Sequence, residues 1–196
     1  MMPKYPFSPR SSPDGTFKPE SDEGFRERAI AYLKRKDAGS RSDRANRLRW
    51  ISEQHINVGY LGRAETAAIF EEARSSYVHG NFIATLILAL AYAEHVINDA
   101  LPPRPSHERS PTLASAVNKA RAAKLFPDDL LDEIAVMNDF RNPFVHRRSA
   151  SDPDTIGQRV SSRKSHPATI LEQDARDALL IMYSFFRHSF TPTLSP

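Results

Sequence analysis

Within the run Asn138-Asp139-Phe140-Arg141-Asn142-Pro143-Phe144-Val145-His146, an arginine, an amide and a histidine stand close together. They lie near the end of an otherwise apolar helical pattern, where packing has no need of such a combination. A fixed cation stabilises developing anionic charge, an amide orients a neighbour, and an imidazole titrates near neutrality. Those are the parts that cleavage of a phosphodiester uses. On a continuing helix Asn142 and His146, four positions apart, share one face. Pro143 complicates this, because its ring clashes with the carbonyl of Asp139 in a straight helix. The helix is therefore expected to kink or stop near Asn142, pushing His146 outward.

The elements that must position these residues read as helical throughout. Phe70, Ala73 and Tyr77 form a stripe at i, i+3 and i+7. Gly80 breaks it, and Asn81 is suited to cap the next helix. Phe82 to Leu101 is apolar on nearly all sides, the mark of a central helix with several neighbours, and Pro102-Pro103 stops it. A helix from Leu113 to Phe126, opened by Ser110-Pro111, buries Leu113, Ala116, Val117 and Ala120. Pro127-Asp128-Asp129 starts the motif helix with acids at its positive end, and Leu130, Ile134 and Met137 face inward. Residues 147–167 read as a long polar connection, of a length that is commonly functional or disordered. Pro167 opens a last helix with a seam of Leu171, Ala175, Ala178, Met182 and Phe185, Leu179 and Phe186 beside it. No strand-like alternation or internal repeat is visible, so the expected fold class is all-α.

The first sixty residues read differently. Residues 1–22 hold five prolines among serines and charges and are expected to be a disordered arm. Residues 23–62 read as a helical extension: a short helix from Phe25 to Lys36 along Phe25, Ala29 and Leu33, a polar break over Asp37-Ala38-Gly39-Ser40, and a second helix from Ser42 to Gln54. Gly59 and Gly62 mark a turn before the bundle of residues 63–190, and 191–196 are a tail.

Composition bounds the chemistry. The chain has 196 residues, enough for one domain with extensions, and its 40% apolar and 26% charged residues suit a globular protein. It has no cysteine, which excludes disulfides and thiolate metal sites. The start lacks the apolar core of a secretory signal, and the run Phe82 to Ala93 is too short to span a bilayer, so no membrane role and a cytoplasmic location are expected. No HxxxH or HExxH pair, Gly-rich phosphate loop or GxSxG elbow is present, so neither metal nor cofactor is expected. Net charge is +3, unevenly spread: residues 1–50 carry 12 Lys/Arg against 7 Asp/Glu, and residues 141–164 carry six against two. Such local basicity suits a polyanion, and it also suits plain solvated surface. Arg147 and Arg148, directly after His146, are natural phosphate contacts or solvated loop cations.

The motif in this setting resembles the HEPN superfamily of small all-helical proteins, whose signature is an Arg, a polar residue after it, and a His four to six positions beyond the Arg. Arg141, Asn142 and His146 match that pattern, and the resemblance covers roughly residues 63 to 190. It implies a HEPN-like helical bundle with a central apolar helix. It further implies a metal-independent endoribonuclease acting as a toxin or as a defence or stress effector. Arg141 would bind the scissile phosphate, His146 would act as general acid or base, and Asn142 would orient the histidine or the phosphate. The resemblance also implies RNA as substrate, a homodimer in which two motifs meet, and a possible neutralising antitoxin partner.

Glu94 is the second residue to single out, because a carboxylate inside so apolar a helix should be paired or face a cleft. In the resembling family an acidic or polar residue on that helix lies near the Arg–His pair, so Glu94 could orient His146 or neutralise Arg141. Asn98, one turn on, shares its face. His95 lies about 100° around the helix and is expected in the core or at an interface. The plainer alternatives are an ion pair of Arg141 with Glu94 or Asp139, and a His146 that caps the helix end against its negative dipole. With those, the same bundle would serve as a non-catalytic module for RNA binding or protein association.

Overall fold

The computed structural model describes residues 22–54, 63–103 and 111–189. Among them the chain forms seven helices and no strand: α1 (Asp22–Ser52), α2 (Ala64–Val78), α3 (Phe82–Ala100), α4 (Leu113–Ala122), α5 (Asp128–Val145), α6 (Ile156–Arg163) and α7 (Pro167–His188). By its contacts the chain divides into two units, with the boundary after Asn46. The expected arm of residues 1–22 lies outside the described residues except for its last position, as do Gly59, Gly62, Ser110 and the tail.

In the first unit, α1 runs unbroken through Asp37-Ala38-Gly39-Ser40, where a break was expected. A helix-interior glycine costs about 1 kcal/mol relative to alanine, and the neighbouring charges offset it. The Asp37 carboxylate accepts from Arg41 at 2.7 Å, one turn on, and from Arg44, two turns on. Those two guanidiniums hold its carboxyl below the usual range.

The second unit is built around α3. Its apolar circumference meets α2 and α7 most extensively and α4 and α5 along the remaining sides. By length and composition alone α3 could cross a membrane; here Leu86, Ala89, Leu90, Ala93 and Ile97 are buried by its neighbours. The helical stripes bury the residues their spacing selects: Phe70, Ala73 and Tyr77 from α2, Leu113, Ala116, Val117 and Ala120 from α4, Leu130, Ile134 and Met137 from α5. Ala175, Ala178, Leu179, Met182, Phe185 and Phe186 do so from α7, while Leu171 at its start is only half-buried. Aromatic rings lock α2 to α7, with Phe70 stacked on Phe186 at 5.0 Å and edge-on to Tyr183 at 5.9 Å.

Helix ends depart from the sequence reading in three places. Asn81 sits at the start of α3, but its side chain makes no cap bond. The cap of α4 is Thr112, whose hydroxyl accepts from the Ser115 N–H, and α4 ends at Ala122, short of Phe126. The polar connection after His146 contains α6, which ends on Lys164 in the left-handed conformation (φ 50°). Gly80 meets a different need: its φ of +78° is strained for a side chain, and the Arg47 guanidinium lies 3.2 Å from where a Cβ would stand, so glycine is favoured. Arg47 in turn covers the Phe82 ring at 4.9 Å and bonds Glu172 of α7 at 3.1 Å.

Candidate functional site

α5 carries the motif in its last two turns. Its acidic first turn complements the helix dipole, and Leu130, Leu131, Ile134 and Met137 anchor its first half in the core. Farther on, Phe140 and Phe144, four apart, keep the same face against the core. That placement turns Arg141 toward α3. The helix does not stop at Asn142: Pro143 is accommodated in the final turn and helical backbone continues to Val145. A proline so close to the end removes a single intrahelical bond.

Arg141 is half-buried. One guanidinium nitrogen donates to Asn138 Oδ1 at 3.2 Å, while its Nε is buried with no hydrogen-bond partner. Neither Glu94 nor Asp139 forms an ion pair with it, so the ion-pair alternative is not realised. The charge of Arg141 is nevertheless felt at Glu94. Burial pushes the Glu94 carboxyl above the usual carboxylate range, and the positive charges of Arg141 and His95 oppose that rise. Asn98, one turn along α3, donates to the Glu94 backbone carbonyl at 2.9 Å and leaves its own Oδ1 buried without a partner. The α3–α5 junction thus holds a cation, a carboxylate and an amide whose hydrogen-bonding capacity is only partly used. His95 faces away from it and meets Thr66 Oγ1 at 3.0 Å.

His146 is the C-cap of α5. Its backbone is extended, its N–H bonds the Asn142 carbonyl at 2.8 Å, and its side chain is exposed. It stands at the negative end of the helix, the position that the capping alternative assigns to it. No other side chain hydrogen-bonds the imidazole among the described residues. The structure therefore brings Arg141 to Glu94, and leaves His146 at the surface one residue past the helix. Asn142 and Arg148 line a polar pocket of about 170 Å³ shared with Asp139, Pro143, Asp152 and Asp154. Arg147 is exposed and outside it. Among the described residues no cluster of His, Asp or Glu is arranged to hold a metal ion.

The sequence reading missed what lies behind this site. Arg159 of α6 is 3% exposed and makes a bidentate pair with Asp174 of α7, itself 2% exposed, at 2.5 and 2.7 Å. The same guanidinium stacks over the Phe140 ring at 3.7 Å, and Arg163 lies 5.7 Å from that ring. Phe140 immediately precedes Arg141, so the pair braces the motif from its far side. Asp174 carried the available signal: it lies on the apolar seam of α7, three positions after Leu171 and four before Ala178, where an acid must find a partner.

No protein-family model, curated protein or solved structure matches this chain.

Proposed function

We propose that this chain is a metal-independent endoribonuclease of HEPN type that acts as a cytoplasmic homodimer, in the role of a toxin or a defence or stress effector held in check by a neutralising partner. The observation that carries this reading is Arg141: a half-buried guanidinium that no carboxylate engages among the described residues, its charge felt at a half-buried Glu94, with an exposed His146 five residues on. A structural arginine in such a position would normally be paired. In the proposed step the RNA 2′-oxygen attacks the adjacent phosphorus and the bond to the 5′-oxygen breaks, leaving a 2′,3′-cyclic phosphate and a 5′-hydroxyl. His146 of the two protomers would take the 2′ proton and supply one to the leaving 5′-oxygen. Arg141 would balance charge on the phosphoryl oxygens, and Asn142 would orient the phosphate. The 2′-hydroxyl requirement makes RNA the substrate. Arg147 and Arg148 would hold flanking phosphates.

The test is cleavage of a labelled single-stranded RNA in EDTA by the wild type beside His146→Ala and Arg141→Ala. A loss of at least about 100-fold in each variant is expected. Wild type inactive on several RNAs would overturn the nuclease reading.

A second reading has its own observation. Asp139, Asp152 and Asp154 line the pocket beside Asn142 and Arg148, which makes that surface poor for a phosphate chain. Of the non-catalytic alternatives, a module for protein association fits it better than one for RNA binding. Stable protein complexes or RNA binding without cleavage would favour this alternative.

A further inference from the structure

The groove between α5 and α7 has an apolar floor and an acidic rim. Val136 and Leu180 are 50% and 42% exposed, and with Met137 and Ile181 they line a space of about 430 Å³. Asp132, Glu133 and Asp177 stand around it. Asp132 is already engaged by Arg121 of α4 at 2.6 Å. Glu133 and Asp177 hold no ion pair among the described residues, and the Asp177 carboxylate accepts from the Gln173 amide at 2.8 Å. Burial pushes the Asp177 carboxyl above the usual range, and the bond from Gln173 and the charges of Arg163 and Arg176 offset that only in part. An added cation would relieve a carboxylate so placed.

The candidate occupants meet this combination differently. Nucleic acid and anionic lipid carry the same sign as the rim and are repelled. A second copy offering the same groove would set carboxylates against carboxylates. A basic amphipathic helix satisfies both parts, with apolar residues on the floor and cations at the rim. The dimensions agree. From Asp132 to Met137 the lining runs along α5 for about 7.5 Å, and residues four apart on a helix are spaced about 6 Å. Two apolar anchors one turn apart therefore fit.

We propose that the α5–α7 groove receives a basic amphipathic helix of a separate protein. Two apolar residues of that helix, three or four apart, seat against Val136 and Leu180, and its Lys or Arg side chains meet Glu133 and Asp177. The groove uses α5 ahead of the motif run, and the contact rests on no step of the nuclease reading.

The probe is a fluorescein-labelled peptide of about 18 residues, long enough to hold a helix on binding. Its leucines repeat at three- and four-residue spacing, with Lys or Arg between them. Binding to the full chain is read by fluorescence anisotropy. Two control peptides, one with the same composition but leucines dispersed around the helix and one with Glu for each basic residue, are expected to bind at least about tenfold more weakly. Leu180→Lys is expected to weaken the intact peptide about tenfold or more. Glu133→Gln combined with Asp177→Asn is expected to weaken it severalfold and to flatten its salt dependence. Ile83→Lys, at a similarly exposed apolar position on α3, should leave binding unchanged. Circular dichroism checks the helicity of each variant. The double variant alters no apolar contact, so it decides the matter even if Leu180→Lys fails to fold. No binding by wild type, equal binding of the dispersed peptide, or unchanged affinity in the groove variants would overturn the proposal. So would a wild-type dimer, seen by sedimentation equilibrium, that Leu180→Lys dissolves, since the groove would then belong to a second copy.

Discussion

Two arginines meet α5 within a few residues of one another, and the fold treats them in opposite ways. Arg159 is sealed, bonded through both terminal nitrogens to Asp174 and stacked on Phe140. Arg141, the neighbour of Phe140 in sequence, is half-open, bonded once to an amide, and faces a carboxylate without closing on it. The first gives both terminal nitrogens to a carboxylate, although its Nε, like that of Arg141, is buried without a hydrogen-bond partner. The second has no carboxylate within bonding reach among the described residues and so keeps part of its capacity in reserve. The lesson is that engagement by a carboxylate, and not burial alone, separates a structural cation from a functional candidate.

The comparison breaks most visibly at Asp174. Asp174→Ala leaves a buried guanidinium uncompensated and is expected to cost about 3–5 kcal/mol in urea unfolding. The double change Arg159→Met with Asp174→Leu, which removes both charges, should recover most of that. A single-mutant cost under about 1 kcal/mol would mean that the pair does not hold α6 in place. Arg141→Ala should cost about 1 kcal/mol or less in the same assay, since it forfeits only one amide bond and some stem packing. A loss comparable to that of Asp174→Ala would erase the distinction between the two arginines.

The smallest effect sharpens the contrast through pH. A carboxyl whose folded-state pKa is raised binds protons more readily when folded, so Glu94 costs stability above that pKa and ceases to do so once both states are protonated. Glu94→Gln is therefore expected to raise the melting temperature slightly at neutral pH, with the gain vanishing below the ordinary carboxylate range. A gain that persists unchanged in acid would show that its source is not the Glu94 charge.

Sequence periodicity was sufficient for the elements whose residues repeat toward one core. The stripes of α2, α4, α5 and α7 and the all-round apolarity of α3 lead directly to burial, because burying apolar area dominates their placement. It was insufficient where polar contacts decide. α6, with the sequence Ile-Gly-Gln-Arg-Val-Ser-Ser-Arg, has no stripe long enough to read, and its position follows from one ion pair formed across fifteen residues. Asp37 bridging to Arg41 and Arg44 likewise carried α1 over a glycine that composition marks as a break. At the candidate site the need of Glu94 for a partner or a cleft was legible from its apolar helix, and its grouping with Arg141 from the resemblance. The exposure of His146 was legible from Pro143, although the helix outlasts that proline by two residues. The acidic company of Arg148 was not legible, because Asp152 and Asp154 return to α5 only through the path of the chain after the helix.

The attachment of α6 also sets an order of opening. The segment from His146 to Lys164 has few buried side chains, ends on a lysine in left-handed backbone, and is held inward chiefly by Arg159. Its amides should exchange with solvent through partial excursions in which that one guanidinium lets go, while the amides of α3 and α7 wait for global unfolding. Each excursion would uncover Phe140 and loosen the last turns of α5, so the surface around Arg141 and His146 opens before the core packed between α3 and α7 does.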